Sequence, residues 1–179
     1  MEYNDVRVNV LSYSLTHLWR NPLPKVLKEN LMDAIGASTT WRWFGYDHAW
    51  TTIDGLKMKS VTGGGHSGAG IFIHTEDMAR FGLLFANRGR WKDKTLLSEN
   101  WITQATTPSK PNPNYGYMWW LNEKGNRHWE GVPEYVFYAA GFGGNFIVVD
   151  QEKGLVIVTR WLEPNKIGEY VKQVNSALE

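Results

Sequence analysis

The sequence contains no cysteine. That excludes disulfides, thiolate metal sites and a cysteine nucleophile, and leaves the redox compartment open, because such a chain suits either one. Net charge is also nearly absent: 19 Lys and Arg stand against 18 Asp and Glu, giving +1 at neutral pH. A nucleic-acid footprint or a polybasic membrane patch needs a clustered excess of positive charge, so neither kind of partner is expected. No apolar run approaches the roughly 20 residues that span a bilayer. The start, Met1-Glu2-Tyr3-Asn4-Asp5, lacks the basic-then-apolar pattern of a secretion signal. His-Glu-x-x-His, Gly-x-Ser-x-Gly, a phosphate loop and a dinucleotide fingerprint in strand context are all missing. His17, His48, His66, His74 and His128 include no pair at metal-ligand spacing on a clear helix, so neither metal nor cofactor is expected.

Aromatic side chains, in contrast, are plentiful: the 179 residues include ten tryptophans. Such residues pack cores and lids or line sugar-binding clefts, and their number alone leaves both open. Over Val6 to Trp19, Val8, Leu11, Leu15, Leu18 and Trp19 follow helical spacing, with Asp5 as N-cap. Pro24 suits the first turn of a second helix running to about Ile35, with Gly36 as its C-cap, so an α-hairpin is expected. Thr39 to Ser60 shows no clear period but holds Trp41, Trp43, Phe44, Tyr46, His48 and Trp50. It reads as a long irregular excursion, a kind of segment that often carries function. Trp43 and Tyr46 are its candidate substrate-binding residues.

After the flexible stretch Gly63 to Gly70 and the short apolar element Ile71 to Ile73, Thr75 caps a helix. Its first turn carries Glu76 and Asp77, its apolar face is Met78, Phe81, Leu84 and Phe85, and Gly89 ends it. Ser98 starts another helix, Tyr115 to Leu121 reads as a strand, and Ile167, Tyr170, Val171, Val174 and Leu178 mark a C-terminal amphipathic helix. Between them, Phe146 to Val149 and Leu155 to Thr159 flank a polar connection containing Gly154, the pattern of an antiparallel hairpin. Both runs are almost continuously apolar, so both faces should be covered and the hairpin central. Gly141, Gly143 and Gly144 just before it suit either a tight strand entry or a ligand close to the backbone. The class is therefore α+β: a helical and loop region over about residues 1–110, then an antiparallel sheet flanked by helices over about 111–179, as one domain.

Several segments recur in an order that resembles a known family. They are Tyr3-Asn-Asp-Val-Arg-Val-Asn9, Gly63-Gly-Gly-His-Ser-Gly-Ala-Gly-Ile-Phe-Ile73, Asp77-Met-Ala-Arg-Phe-Gly82, Gly89-Arg-Trp91, Leu96-Leu-Ser98, Tyr115-Gly-Tyr-Met-Trp-Trp120 and the Gly-rich hairpin. Together they resemble the second half of the serine β-lactamase-like family, which includes class C β-lactamases, penicillin-binding proteins and related esterases and amide hydrolases. The resemblance implies acyl transfer, in which a hydroxyl nucleophile needs a neighbouring base and the oxyanion needs backbone donors. The family's Ser-x-x-Lys is absent: none of the eight serines has lysine three residues later. The resemblance places that motif upstream of Tyr3, so the chain is expected to be a C-terminal portion lacking its nucleophile.

By the same resemblance, Tyr3-Asn4-Asp5 matches the Tyr-x-Asn-type motif and makes Tyr3 the proton-moving tyrosine. The late Lys/His-Thr/Ser-Gly triplet has two matches, His66-Ser67-Gly68 by spelling and Ala139-Ala140-Gly141 by position. The second puts the Phe142 N–H in the oxyanion role, with Gly141 and Gly143 beside the substrate; His66 becomes a cleft-lining polar group. Ala139 carries no charge where the family has Lys or His, so a neutral ester or amide is the implied small-molecule substrate. Alone, the chain is expected to be inert and to seek its missing N-terminal half or a second copy of itself. The alternative function is a noncatalytic carbohydrate- or peptide-binding module that grips its ligand through Thr39 to Trp50 and Trp119-Trp120.

Overall fold

A computed structural model describes residues 4–62, 70–123 and 128–178, and the chain divides between His74 and Thr75 into two units. In the first unit, helix α1 (Asp5–Trp19) is capped by Asn4, whose side-chain oxygen accepts the Val6 N–H at 2.9 Å. The cap is thus one residue earlier than expected: Asp5 is the first helical residue, favourably placed as an anion at the positive end of the helix. Val8, Ser12 and Thr16 form the buried stripe, with the Thr16 hydroxyl donating back to the Ser12 carbonyl. Helix α2 (Leu23–Leu27) runs on as a π-helical turn (Lys28–Met32) and ends in turns that reach Gly36, completing the α-hairpin.

The stretch from Thr39 to Ser60, expected to be irregular, contains three short strands. Strand β1 (Arg42–Phe44) pairs with β4 (Gly70–Phe72), and β2 (Trp50–Ile53) forms a hairpin with β3 (Leu56–Lys59). The hairpin turns on Asp54-Gly55, both at positive φ (54° and 77°), the conformation for which an Asp-Gly pair is chosen. Arg20, beyond the end of α1, forms an ion pair with Asp54 at this turn.

In the second unit, a four-stranded antiparallel sheet has the order β10-β9-β8-β7, with β7 Trp120–Leu121, β8 Phe137–Gly141, β9 Asn145–Asp150 and β10 Leu155–Thr159. The β9–β10 hairpin pairs Phe146 with Thr159 and Asp150 with Leu155, as the apolar pattern requires. β9 lies inside the sheet and is buried from Phe146 onward, whereas β10 is an edge strand and only partly covered. Period-2 geometry sends alternate β9 side chains to opposite faces. Phe146 and Val148 join Tyr138, Ile157, Ile167 and Val171 in the cluster on which helix α5 (Ile167–Ala177) packs. On the other face, helix α3 (Thr75–Ala86) lies across β9 and β10. Its Gly82 sits against Ile147 and Val156 where a Cβ would come within 2.7 Å of their methyl groups.

The remaining elements differ in detail from expectation. The strand foreseen over Tyr115 to Leu121 is regular only at β7; before it, turns are closed by the Tyr115–Trp120 bridge and by the Gly116 N–H bonded to the Trp119 carbonyl. Ser98 caps helix α4 (Glu99–Ala105) by accepting the Trp101 N–H at 3.1 Å. The strands β5 (Arg90–Trp91) and β6 (Lys94–Thr95) form a small ribbon between α3 and α4. Mixed helices and antiparallel sheets give the α+β class that the sequence predicts.

Candidate functional site

In the C-terminal unit the candidate site lies at the tip of the β8–β9 hairpin. The last paired residues are Gly141 and Asn145, so Phe142, Gly143 and Gly144 make the loop. Gly143 and Gly144 have φ of 77° and 75°, and a Cβ on Gly144 would drive into the Leu162 carbonyl. Only glycine fits there. The Asn145 side-chain amide donates to the Phe142 carbonyl at 2.6 Å, and the Gly144 carbonyl accepts from the Leu162 N–H and the Thr159 hydroxyl, each at 3.3 Å. The loop is thereby held by its carbonyls, while the N–H groups of Phe142, Gly143 and Gly144 donate to no partner among the described residues. Asn145 Oδ1 is buried without a partner, so its amide is committed to holding the tip through Nδ2 alone.

Two further properties belong to this tip. The Phe142 side chain is 93% exposed, far more than an aromatic ring that serves packing in its own unit. β7 pairs with Phe137 and Tyr138, and among the described residues Ala139, Ala140 and Gly141 have no strand partner on that side. Undonated N–H groups beside an open strand edge offer what a developing oxyanion or a substrate carbonyl needs: fixed dipoles that do not have to reorganise. Gly141, Phe142 and Gly143, selected from sequence, thus come together. Asn145, Trp161 beside Gly143, and Leu162 were not selected; their signal lies in tertiary contacts that carry no local sequence pattern.

In the N-terminal unit, Trp43 lines an open groove of about 330 Å³ together with Pro22, Pro24, Phe44 and Trp50. Its indole N–H is already committed to the Thr62 carbonyl at 2.8 Å, so it offers the groove a ring and no donor. Lys57 and Lys59 form the basic part of the lining, their ammonium groups 4.9 and 5.6 Å from the centre of the Trp50 ring. Tyr46 is half-buried and stacks on His48, with ring centres 6.1 Å apart, outside this lining. Of the Trp119-Trp120 pair, Trp119 is a core residue of the other unit, packed on Phe81, Phe85 and Phe137, and so is unavailable to grip a ligand. Tyr3 and His66 lie outside the described residues. Among the described residues no three His, Asp or Glu side chains converge as metal ligands, and no helix is long and apolar enough to cross a membrane.

This architecture has relatives. The chain resembles, over 99% of its length with 19% identity and a TM-score of 0.67, a protein assigned as a 6-aminohexanoate-dimer hydrolase in Bacillus anthracis. It resembles a β-lactamase from Mycobacterium bovis over 98% of its length (20% identity, TM-score 0.69). A penicillin-binding protein homologue from Caulobacter crescentus matches 83% of it (16% identity, TM-score 0.52). At such identities the likeness is one of fold, and the chain spans only 43%, 62% and 52% of those proteins. No curated protein matches the sequence. The sequence profile of the Beta-lactamase family, however, matches residues 14–170, from the last turns of α1 through the aromatic segment and α3 to the whole β7–β10 sheet. With the family's order of segments in the sequence and its fold in the structure, the chain belongs to the serine β-lactamase-like (Beta-lactamase) family.

Proposed function

We propose that this chain is the C-terminal portion of a single serine-hydrolase domain that cleaves a neutral ester or amide by acyl transfer. A serine from a Ser-x-x-Lys segment upstream of Tyr3 attacks the carbonyl carbon, and its proton passes by way of Tyr3 to the departing alcohol or amine. The carbonyl oxygen, negative in the tetrahedral intermediate, is received by the Phe142 N–H. The intermediate expels the leaving group to give an acyl-serine, which water hydrolyses. The observation that carries this reading is the hairpin tip, where Gly143, Gly144 and Asn145 hold the loop and the Phe142 N–H donates to no acceptor among the described residues. Ala139, where the family has Lys or His, supplies no cation for a substrate carboxylate, which favours a neutral substrate. The hydrolase named for a 6-aminohexanoate dimer among the similar folds supports hydrolysis as the reaction class.

The outer side of α1 supports the need for another half. Val6, Val10 and Tyr13 form one exposed stripe at i, i+4, i+7 spacing, with Leu11 and Leu18 exposed beside it; Val6 and Leu18 are 67% and 75% exposed. A helix apolar on its outer side and lined inside by Val8, Ser12 and Thr16 has its hydrophobic surface facing the wrong way for a lone unit. The partner for that face is the segment bearing the nucleophile, or a second copy when that segment is missing.

The test is to incubate the chain with a chromogenic ester, a chromogenic cephalosporin and a serine-reactive fluorophosphonate, and to repeat it with a Ser-x-x-Lys-bearing half supplied in trans. The chain alone should neither turn over nor be labelled, and light scattering should show concentration-dependent association. The reconstituted pair should be labelled on the added serine. Stoichiometric labelling of any of the chain's own serines would overturn the reading, and a monodisperse, cooperatively melting monomer would remove the argument from α1.

A further inference from the structure

The groove beside Trp50 is lined entirely by residues of the N-terminal unit and shares none with the hairpin tip at Phe142 to Gly144. Its chemistry is independent of the acyl-transfer reading. In the β2–β3 register Trp50 faces Lys59 and Thr52 faces Lys57, and the period of two puts these side chains on one face of the hairpin. Both ammonium groups converge on the Trp50 ring. Lys59 has a carboxylate nearby, Asp47 at 3.3 Å, whose side chain is fully exposed; Lys57 has none among the described residues. Two like charges drawn over one indole leave a net positive spot that an incoming anion would neutralise.

The walls decide what the anion is attached to. Trp43 presents a ring without a free donor, and Pro22, Pro24 and Phe44 add flat apolar surface. The groove is open, so anything seated on those walls keeps its other side in water. A hydrocarbon chain would leave half its surface exposed, whereas a pyranose has an apolar C–H face for the aromatic wall and hydroxyls for the solvent. A volume of about 330 Å³ lies at the small end of ligand sites and accommodates one or two sugar rings. We infer that this groove binds an acidic saccharide, with a ring stacked on the Trp43 and Trp50 side and its carboxylate between Lys57 and Lys59.

The inference is tested by calorimetric titration of the whole chain with a short oligogalacturonate and, in parallel, with a neutral malto-oligosaccharide of equal length. The acidic ligand should bind saturably, weaken as salt is raised, and bind about tenfold more tightly than the neutral one. Lys57→Ala should cost about tenfold in affinity and Lys57→Arg should restore most of it. Circular-dichroism melts of both variants check that the hairpin still folds, as expected for substitutions at the exposed Lys57. Equal affinity for the two saccharides, or an unchanged affinity in a folded Lys57→Ala variant, would overturn the inference. So would absence of binding, or ligand-independent protection of residues 50–59 from hydrogen exchange that grows with protein concentration, which would assign the groove to self-association. None of these outcomes bears on serine labelling, so the two proposals fail separately.

Discussion

Replacing Gly82 by alanine should destabilise the fold although it improves the helix. Gly82 lies inside α3, where alanine is favoured over glycine by about 1 kcal/mol. Against this, its added methyl would be 2.6 Å from Val156 Cγ1 and 2.7 Å from Ile147 Cγ2, about 1 Å inside ordinary carbon–carbon contact. Neither neighbour yields easily: both are β-branched, with χ1 confined, and they approach from adjacent strands of one sheet. Overpacking of this kind costs about 1–3 kcal/mol. Two simultaneous contacts put the cost in the upper part of that range, so the net loss is about 1–2 kcal/mol. Urea unfolding followed by far-ultraviolet circular dichroism reads the change as a lower midpoint at unchanged slope. In a Val156→Ala background one of the two contacts is gone, so adding Gly82→Ala should cost less than it does in the parent chain. A Gly82→Ala variant more stable than the parent would mean that propensity wins and that α3 does not approach the sheet as closely as described.

Three further outcomes follow from single groups. Asn4→Ala removes the oxygen that accepts the Val6 N–H and should lower stability by about 1 kcal/mol, read as a shift in the urea midpoint; no shift would deny Asn4 the capping role. Asp150→Ala removes the carboxylate that accepts the Glu152 and Lys153 N–H groups in the β9–β10 turn and should cost about 1–3 kcal/mol, with Asp150→Asn retaining most of it. Tyr135 should ionise above its ordinary value of 10, because partial desolvation first, and the Asp150 and Glu152 carboxylates next, disfavour the phenolate. The folded state then keeps the proton longer than the unfolded chain, so this contribution is intact below pH 10 and is lost as pH rises through the higher folded value. Phenolate difference absorbance between the parent and Tyr135→Phe measures the midpoint, and a value at or below 10 would refute the assignment.

The parts of the fold that were legible in sequence are those in which one local signal acts alone. The β9–β10 hairpin follows from two apolar runs around a polar turn, and α4 follows from the Ser98 cap. Where two signals competed, the reading slipped. Asp5 and Asn4 are both good caps, and the geometry of the first turn, which no sequence shows, selects Asn4. The aromatic density of Thr39 to Ser60 hid the Asp54-Gly55 turn and the alternation of Lys57, Met58 and Lys59, which together announce a hairpin. At the candidate site, glycine spacing pointed to the tip because the positive φ of Gly143 and Gly144 leaves a mark on residue choice. The hold that Asn145 and the Leu162 N–H exert on the loop leaves none. Trp119 and Trp43 illustrate the same limit: both are tryptophan in an aromatic run, yet one is core and the other lines a groove.

Burial is distributed unevenly in a way that bears on the proposed missing half. In the C-terminal unit, β9 has apolar side chains on both faces, and each face finds a cover, α3 on one and α5 on the other. An element apolar on both sides is stable only when sandwiched, and here the sandwich is complete within the unit. Helix α1 differs: its buried stripe is Val8, Ser12 and Thr16, while Val6, Val10, Leu11 and Leu18 are exposed on its outer side. A helix that turns its apolar side chains to solvent and its hydroxyls inward presents a surface for another element. On the proposed reading, that exposed outer face of α1 is where the missing half packs. That is why the fate of its outer face, rather than the stability of the sheet, separates a working half from an independent module.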